Sequence, residues 1–82
     1  MDKIITIDKL LPGQSARVLR LNTKGGMRRR FIDLGLIEGT VIRCVGKSPL
    51  GDPSAYLIRG AVIAIRSSDA VTVEAEPIIV ND

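Results

Sequence analysis

The 82-residue chain has few side chains that could carry out covalent or acid–base chemistry. It contains no histidine, which excludes a Ser-His-Asp triad and any histidine-ligated metal site. Its one cysteine, Cys44, lies in an alternating apolar segment, which favours a buried structural thiol over a nucleophile. The nine acidic residues are scattered singly, without the pairing that general acid and base roles need. We therefore expect no enzyme activity, no cofactor and no metal site.

Positive charge is concentrated in one part of the chain, although the net charge is only +3. Six cations follow one another with no acidic residue between them: Arg17, Arg20, Lys24, Arg28, Arg29 and Arg30. Such a cluster indicates an acidic protein surface, a phosphate or a polynucleotide as partner, and a solvated basic face explains it about equally well. Glycines at 25, 26 and 51 lack the spacing of a phosphate-binding loop, so turn formation explains them.

A short helix is predicted to carry the last three of these arginines. Met27, Phe31 and Leu34 have i, i+4, i+7 spacing and would share one buried face. Gly35 follows where a residue in the left-handed conformation would end the helix. In this interpretation the arginines occupy the first turn, where the helix dipole disfavours each cation by ~0.3 to 1 kcal/mol. We therefore expect them to serve a partner rather than stability.

Short strands account for most of the remaining sequence. The core must be aliphatic because Phe31 and Tyr56 are the only aromatic residues, and its many β-branched members favour strands. Strands are predicted at 15–21, 40–45, 55–59, 61–66 and 71–75, helical turns within 4–11 (capped by Asp8) and at 67–70, and an exposed loop at 46–53. This mostly β pattern of about five strands, with one short helix after the first, predicts a partly open SH3-like barrel. Structural roles are expected for Phe31, Leu34, Gly35, Gly39, Gly60 and Ala70.

The chain is expected to be a single domain over 1–82, with a core at about 5–76. The apolar residues 77–82 are then a tail, either frayed or used as an edge strand in weak self-association. No apolar run approaches the ~20 residues that span a bilayer, and the start of the chain does not resemble a signal peptide. A single cysteine fits a reducing compartment. The expected location is the cytoplasm, without membrane insertion.

The sequence resembles the FeoA family over nearly its full length. The resemblance is carried by Asp33-Leu34-Gly35-Leu36, Gly39, Pro49-Leu50-Gly51-Asp52-Pro53, Arg59-Gly60, Ala64-Ile65-Arg66 and Asp69-Ala70. It implies an SH3-like barrel that works with the membrane permease FeoB, which has a cytosolic GTPase domain. Transition-metal binding is associated with the family as a whole. A related domain ends metal-responsive repressors, but this chain has no room for their DNA-binding parts.

These observations predict a non-enzymatic, cytosolic accessory protein of bacterial ferrous iron uptake that binds and modulates a FeoB-like permease. The alternative is a small basic barrel that binds nucleic acid or acts in metal-responsive transcriptional regulation. Single-strand binding is disfavoured because it relies on aromatic platforms that this chain nearly lacks. The candidate partner-binding residues are Arg28, Arg29, Arg30, Leu36, Leu50, Gly51, Asp52 and Pro53.

Overall fold

The computed structural model describes residues 3–79, which form a six-stranded antiparallel sheet and two short helices. The strands are β1 (Ile5–Thr6), β2 (Ser15–Leu21), β3 (Val41–Lys47), β4 (Ser54–Ile58), β5 (Ala61–Ile65) and β6 (Val73–Ile78). The helices are α1 (Gly25–Leu34), between β2 and β3, and α2 (Ser67–Ala70), between β5 and β6. The strand order β1-β6-β2-β3-β4-β5 places the chain's first and last strands side by side.

The fold is mostly β with one helix of ten residues, as predicted, but the first strand was missed. β1 has only two residues, Ile5 and Thr6, which pair with Ala75 and Glu74 of β6. Because two residues are too few to show an alternating pattern, the sequence did not indicate this strand. The main helix therefore follows the second strand rather than the first.

The predicted helical turn near the N-terminus is a 3-10 turn at Ile7–Lys9. Ile7 and the following Leu10 are both buried, as expected for residues that share one face. The role predicted for Asp8 was wrong, because Asp8 lies inside the turn and no side chain caps its start. Asp8 instead accepts a hydrogen bond from the Thr6 hydroxyl.

The core is aliphatic and encloses both aromatic residues. Phe31 and Tyr56 are 2% and 1% exposed, and the Tyr56 hydroxyl donates a hydrogen bond of 3.2 Å to the Ile7 carbonyl oxygen. Cys44 is completely buried, which confirms a structural thiol. Ala70 of α2 is also completely buried, in agreement with its predicted structural role.

Helix α1 packs on the core through the predicted face. Phe31 is buried, and Met27 and Leu34 are half-buried against the same cluster. The helix nevertheless begins at Gly25, two residues before the predicted face starts, so Arg28 ends its first turn and Arg29 and Arg30 lie in its second. The prediction that all three occupy the first turn was wrong, and the dipole penalty is smaller for Arg29 and Arg30 because that effect falls off within one turn.

The last strand extends beyond its predicted end. Pro77 and Ile78 pair with Ala16 and Ser15 of β2, so residues assigned to a tail belong to the sheet. Ile79 follows and is 89% exposed. The rest of the predicted tail, residues 80–82, lies outside the described residues. Within 3–79, no helix has the length and apolar character to cross a bilayer.

Candidate partner-binding surfaces

The exposed loop between β3 and β4 presents Leu50 at its tip. Leu50 is 95% exposed. The loop is held closed by hydrogen bonds from the Gly51 amide to the Ser48 carbonyl oxygen (2.8 Å) and from the Ser48 amide to the Pro53 carbonyl oxygen (3.0 Å). Gly51 has a φ of 86°, a conformation that residues with a Cβ rarely adopt. The loop is therefore a defined structure that holds an apolar side chain in solvent.

Asp52 of the same loop has a structural contact. Its Oδ1 accepts a hydrogen bond of 2.9 Å from the Ser67 backbone amide, and its Oδ2 accepts one of 3.1 Å from the Ser67 hydroxyl. Ser67 is the first residue of α2, whose start has no cap from an adjacent side chain. Asp52 thus caps a helix that begins fifteen residues later in the chain. Leu50 is left as the more available contact residue of this loop.

Leu36 is not available to a partner in this structure because it is completely buried. Gly35, with φ of 102°, donates a hydrogen bond to the Ile32 carbonyl oxygen (3.0 Å), and Leu36 donates one to the Phe31 carbonyl oxygen (2.9 Å). These two bonds define a Schellman motif, in which the residue after the glycine typically packs back on the helix. The chain turn at Gly35 therefore directs Leu36 into the core, and the assignment of Leu36 to a partner surface was wrong.

The three arginines of α1 are not equivalent. One terminal nitrogen of Arg28 donates a hydrogen bond of 2.6 Å to the Leu21 carbonyl oxygen at the end of β2, with a longer contact of 3.4 Å to that of Thr23. Arg28 therefore ties the helix to the preceding strand. Arg29 and Arg30 are exposed, and neither takes part in the ion pairs found within residues 3–79. Their guanidinium groups remain accessible to a partner.

A groove of about 500 Å³ lies between α1, β2 and the turn after the helix. Arg20 and Arg28 line it together with Ile32 and Ile37, which are 42% and 41% exposed. Ile32 and Ile37 were not predicted as contact residues. A signal for Ile32 was present, because it is an apolar residue outside the Met27-Phe31-Leu34 face. The groove adds apolar surface to the basic helix.

These surfaces present cations and exposed apolar side chains, groups that take part in recognition. Within residues 3–79, no three His, Cys, Asp or Glu residues lie close enough together to hold a metal ion. Burial raises the pKa of Tyr56 from 10.0 to about 12. A buried tyrosine that stays protonated at neutral pH is a core hydrogen-bond donor. A second cleft, lined in part by Arg43 and Arg59, was also missed by sequence reasoning.

The chain is similar to proteins of ferrous iron transport. Residues 5–77 match the FeoA domain. Over 75 residues the chain is 32% identical to a Porphyromonas gingivalis fusion protein that joins Fe(2+) transport protein A to the Fe(2+) transporter FeoB. This match covers 92% of the chain but only 9% of the fusion protein, so the chain corresponds to a small part of that relative.

Solved structures of similar proteins have the same fold. A FeoA-like protein from Clostridium acetobutylicum has a TM-score of 0.85 at 29% identity, covering 100% of this chain and 95% of that one. The zinc complex of FeoA from Stenotrophomonas maltophilia, described as an SH3 domain protein, has a TM-score of 0.77 at 28% identity and covers 87% and 88%. The predicted SH3-like fold is thus confirmed. Together with the match over residues 5–77, these likenesses establish that the chain belongs to the FeoA family.

Proposed function

We propose that this protein is a non-enzymatic, cytoplasmic accessory protein of ferrous iron uptake that binds the cytosolic part of a FeoB-like permease. The observation that carries this proposal is the Porphyromonas gingivalis relative, in which a similar domain and the transporter are parts of one polypeptide. A covalent link keeps two modules at a high effective concentration, which is useful where the two act together. For separate chains, a docking surface must supply that association.

The surface that we assign to this contact is the helix surface, defined as Arg29, Arg30, Ile32 and Ile37. The two arginines are exposed and take part in no ion pair within the described residues. Ile32, three residues after Arg29 on the helix, and Ile37, after the helix end, are partly exposed. Exposed cations and apolar side chains on one element match a partner surface that has both acidic and apolar groups, as protein interfaces typically do. Arg28 supports this surface through its bond to Leu21.

Charge reversal tests the helix surface. The purified cytosolic domain of the permease from the same organism would be titrated with the wild-type chain and with an Arg29→Glu/Arg30→Glu variant. We expect the affinity of the variant to fall about tenfold or more, with a smaller loss at higher salt, because the interaction is electrostatic. A Lys47→Glu/Arg66→Glu variant has the same net charge and should bind like wild type. Equal binding by all three proteins contradicts this assignment.

The same titration separates docking from modulation of the permease. GTP hydrolysis by the cytosolic domain would be measured with and without a saturating amount of the chain. A changed rate supports modulation, whereas binding at an unchanged rate leaves a docking role only. An arginine inserted into a GTPase site can raise turnover by about 10³ to 10⁵, so acceleration on that scale, lost in the double variant, would indicate direct participation by Arg29 or Arg30.

The loop between β3 and β4 is tested separately by Leu50→Asp. Because Leu50 is 95% exposed, this change should leave the melting temperature unchanged. Weaker binding would place Leu50 in the permease contact, together with the neighbouring Gly51 and Pro53. Unchanged binding would remove the loop from the interface while leaving the helix surface in place.

A further inference from the structure

An open cleft of about 800 Å³ lies where the sheet meets the turn between β4 and β5, and it is distinct from the helix surface. It is formed by the start of β2, by β3 and β4, by the turn at Arg59-Gly60 and by the end of β6. Its size falls within the range of about 300 to 1,000 Å³ that is typical of ligand-binding sites. Its principal side chains are those of Val41, Arg43, Leu57, Arg59, Ile78 and Ile79.

Strand pairing brings the cationic and apolar side chains of this cleft together. Arg43 of β3 lies opposite Leu57 of β4 on one side and opposite Ser15 of β2 on the other. Ser15 in turn lies opposite Ile78 of β6. Residues directly opposite one another in a sheet point to the same face. Arg43 is therefore set between Leu57 and Ile78 on one surface, although the three are distant in sequence.

The cleft presents positive charge next to exposed apolar surface. Within residues 3–79, neither Arg43 nor Arg59 takes part in an ion pair and no acidic residue lines the cleft. Val41 is 44% exposed and Ile79 is 89% exposed. The complementary ligand therefore carries carboxylates together with aliphatic groups, since guanidinium groups form strong paired hydrogen bonds with carboxylates.

Arg59 contributes a second cation to the cleft, and its side chain also contacts Gly35 at the end of α1. Its side chain passes so close to Gly35 that a Cβ on that glycine would lie 2.6 Å from the Arg59 Cδ and 2.8 Å from Nε. A long side chain whose stem is already packed loses less rotamer freedom when its charged end binds a ligand. We propose that this cleft binds an acidic, aliphatic peptide segment of a partner protein, with Arg43 and Arg59 pairing with its carboxylates.

Other occupants fit the cleft less well. Single-stranded nucleic acid and proline-rich peptides are recognised through exposed aromatic side chains, and both aromatic residues of this chain are buried. A second copy of the chain in a two-fold arrangement would bring the same arginines of both copies to one interface, where like charges repel. An acidic segment of another protein meets neither difficulty.

This inference does not depend on the proposed permease contact, because the cleft and the helix surface have no residue in common. The acidic segment could belong to any partner protein. The two proposals therefore fail separately: charge reversal at Arg29 and Arg30 tests one surface, and the experiment below tests the other.

The test is a titration of the isotope-labelled full chain followed by amide NMR signals. The probe is a set of synthetic hexapeptides of Glu with Leu, Ile and Val, and the comparison sets replace Glu by Lys or by Gln. We expect the Glu set to shift the signals of Arg43, Leu57, Gly60 and Ile78 at concentrations at which the Lys set has no effect. Equal shifts with all three sets, or shifts located elsewhere, overturn the proposal.

A matched pair of variants tests whether Arg43 is the cation that binds the acidic peptide. Arg43→Glu and Lys47→Glu change the same charge at two exposed positions of β3, but only Arg43 lines the cleft. Peptide affinity should fall about tenfold or more in Arg43→Glu and stay unchanged in Lys47→Glu. Equal affinity of both variants overturns the proposal. It is also overturned if an oligothymidylate, or dimerisation at high protein concentration, shifts the cleft signals while the Glu peptides do not.

Discussion

The side chain of Arg59 occupies the space next to Gly35, so closely that a Cβ at residue 35 would have to displace it. The Arg59 Cγ, Cδ and Nε atoms would lie 3.2, 2.6 and 2.8 Å from such a Cβ. Two constraints therefore act at Gly35, because its φ of 102° also disfavours any residue with a side chain. The contact connects the turn between β4 and β5 with the C-terminal end of α1. At that end of a helix, the helix dipole favours a cation.

Gly35→Ala should destabilise the protein more than Gly39→Ala does. Gly39 has a similar φ of 91° but nothing within 4 Å of a Cβ, so it reports the cost of backbone conformation without a close contact. That conformational cost is about 1 to 2 kcal/mol. The contact is with the far end of an exposed, flexible side chain, so moving Arg59 aside should add only about 0.5 to 1.5 kcal/mol in Gly35→Ala. Urea denaturation of both variants measures the difference.

The double variant Gly35→Ala/Arg59→Ala provides the control for this interpretation. Removing the Arg59 side chain should bring the cost of Gly35→Ala down to that of Gly39→Ala. A double-mutant cycle with no coupling between the two positions would show that Arg59 does not limit the space at residue 35.

Phe31→Ala should lower the free energy of unfolding by roughly 3 to 5 kcal/mol. Phe31 is the buried centre of the α1 face, and its truncation leaves a cavity as well as removing apolar contact. Ile32→Ala, one residue along the same helix but 42% exposed, should cost much less. Similar losses in the two variants, measured by thermal and chemical denaturation, would contradict the packing of α1 described above.

Asp52→Ala should reduce stability by about 0.5 to 1.5 kcal/mol, because it removes the cap of α2. Ser67→Ala should cost less, since it keeps the bond between its backbone amide and Asp52. Asp33→Ala removes a carboxylate that is also exposed and has no hydrogen bond or ion pair within residues 3–79, and the melting temperature of this variant should stay near that of wild type. A stable Asp52→Ala variant would argue that the cap contributes nothing.

Stability should decrease between pH 10 and pH 12 because of Tyr56. Burial raises its pKa from 10.0 in the unfolded chain to about 12 in the folded protein, so the unfolded chain loses the proton first as the pH rises. This contribution is complete below pH 10 and lost by about pH 12, and two pKa units correspond to about 2 to 3 kcal/mol. Other groups titrate in the same range, so a variant without the Tyr56 hydroxyl is needed to isolate the contribution of Tyr56.

Tyr56→Phe removes the ionisable group and provides the comparison. At neutral pH it should cost about 0.5 to 1.5 kcal/mol, because the hydrogen bond to the Ile7 carbonyl oxygen is lost. That oxygen keeps the Leu10 amide as a donor. Above pH 10, the stability of Tyr56→Phe should fall less steeply than that of wild type. Parallel curves for the two proteins would show that Tyr56 does not have a raised pKa.

Local patterns were sufficient to predict the helix but not its surroundings. The spacing of Met27, Phe31 and Leu34 and the position of Gly35 reflect interactions within one helix, so they can be read from consecutive residues. The burial of Leu36 follows the same local rule, because a Schellman motif typically packs the residue after its glycine, but that signal was overlooked. The start at Gly25 was missed since glycine is a weak helix former.

The surface that combines Arg43 with Leu57 and Ile78 could not be predicted in the same way. Its composition depends on which strands are neighbours and on their register, and residues on four different strands contribute to it. The sequence shows each of these residues but not the pairing. The structural role of Arg28 was missed for a related reason. Its acceptor, the Leu21 carbonyl oxygen, belongs to the backbone, so the type of residue at position 21 does not indicate the hydrogen bond.

The two edges of the sheet differ in length, and this difference affects the concentration at which the protein aggregates. β1 exposes an edge of only two residues, whereas β5 runs for five, and within residues 3–79 only one of its sides is paired. Its residues are Ala-Val-Ile-Ala-Ile, and Val62 is 65% exposed. Such a strand would recruit strands of other molecules if nothing opposed it. Arg66 directly follows its last residue and Arg59 lies two residues before its first, so these cations repel those of other molecules and oppose edge-to-edge pairing.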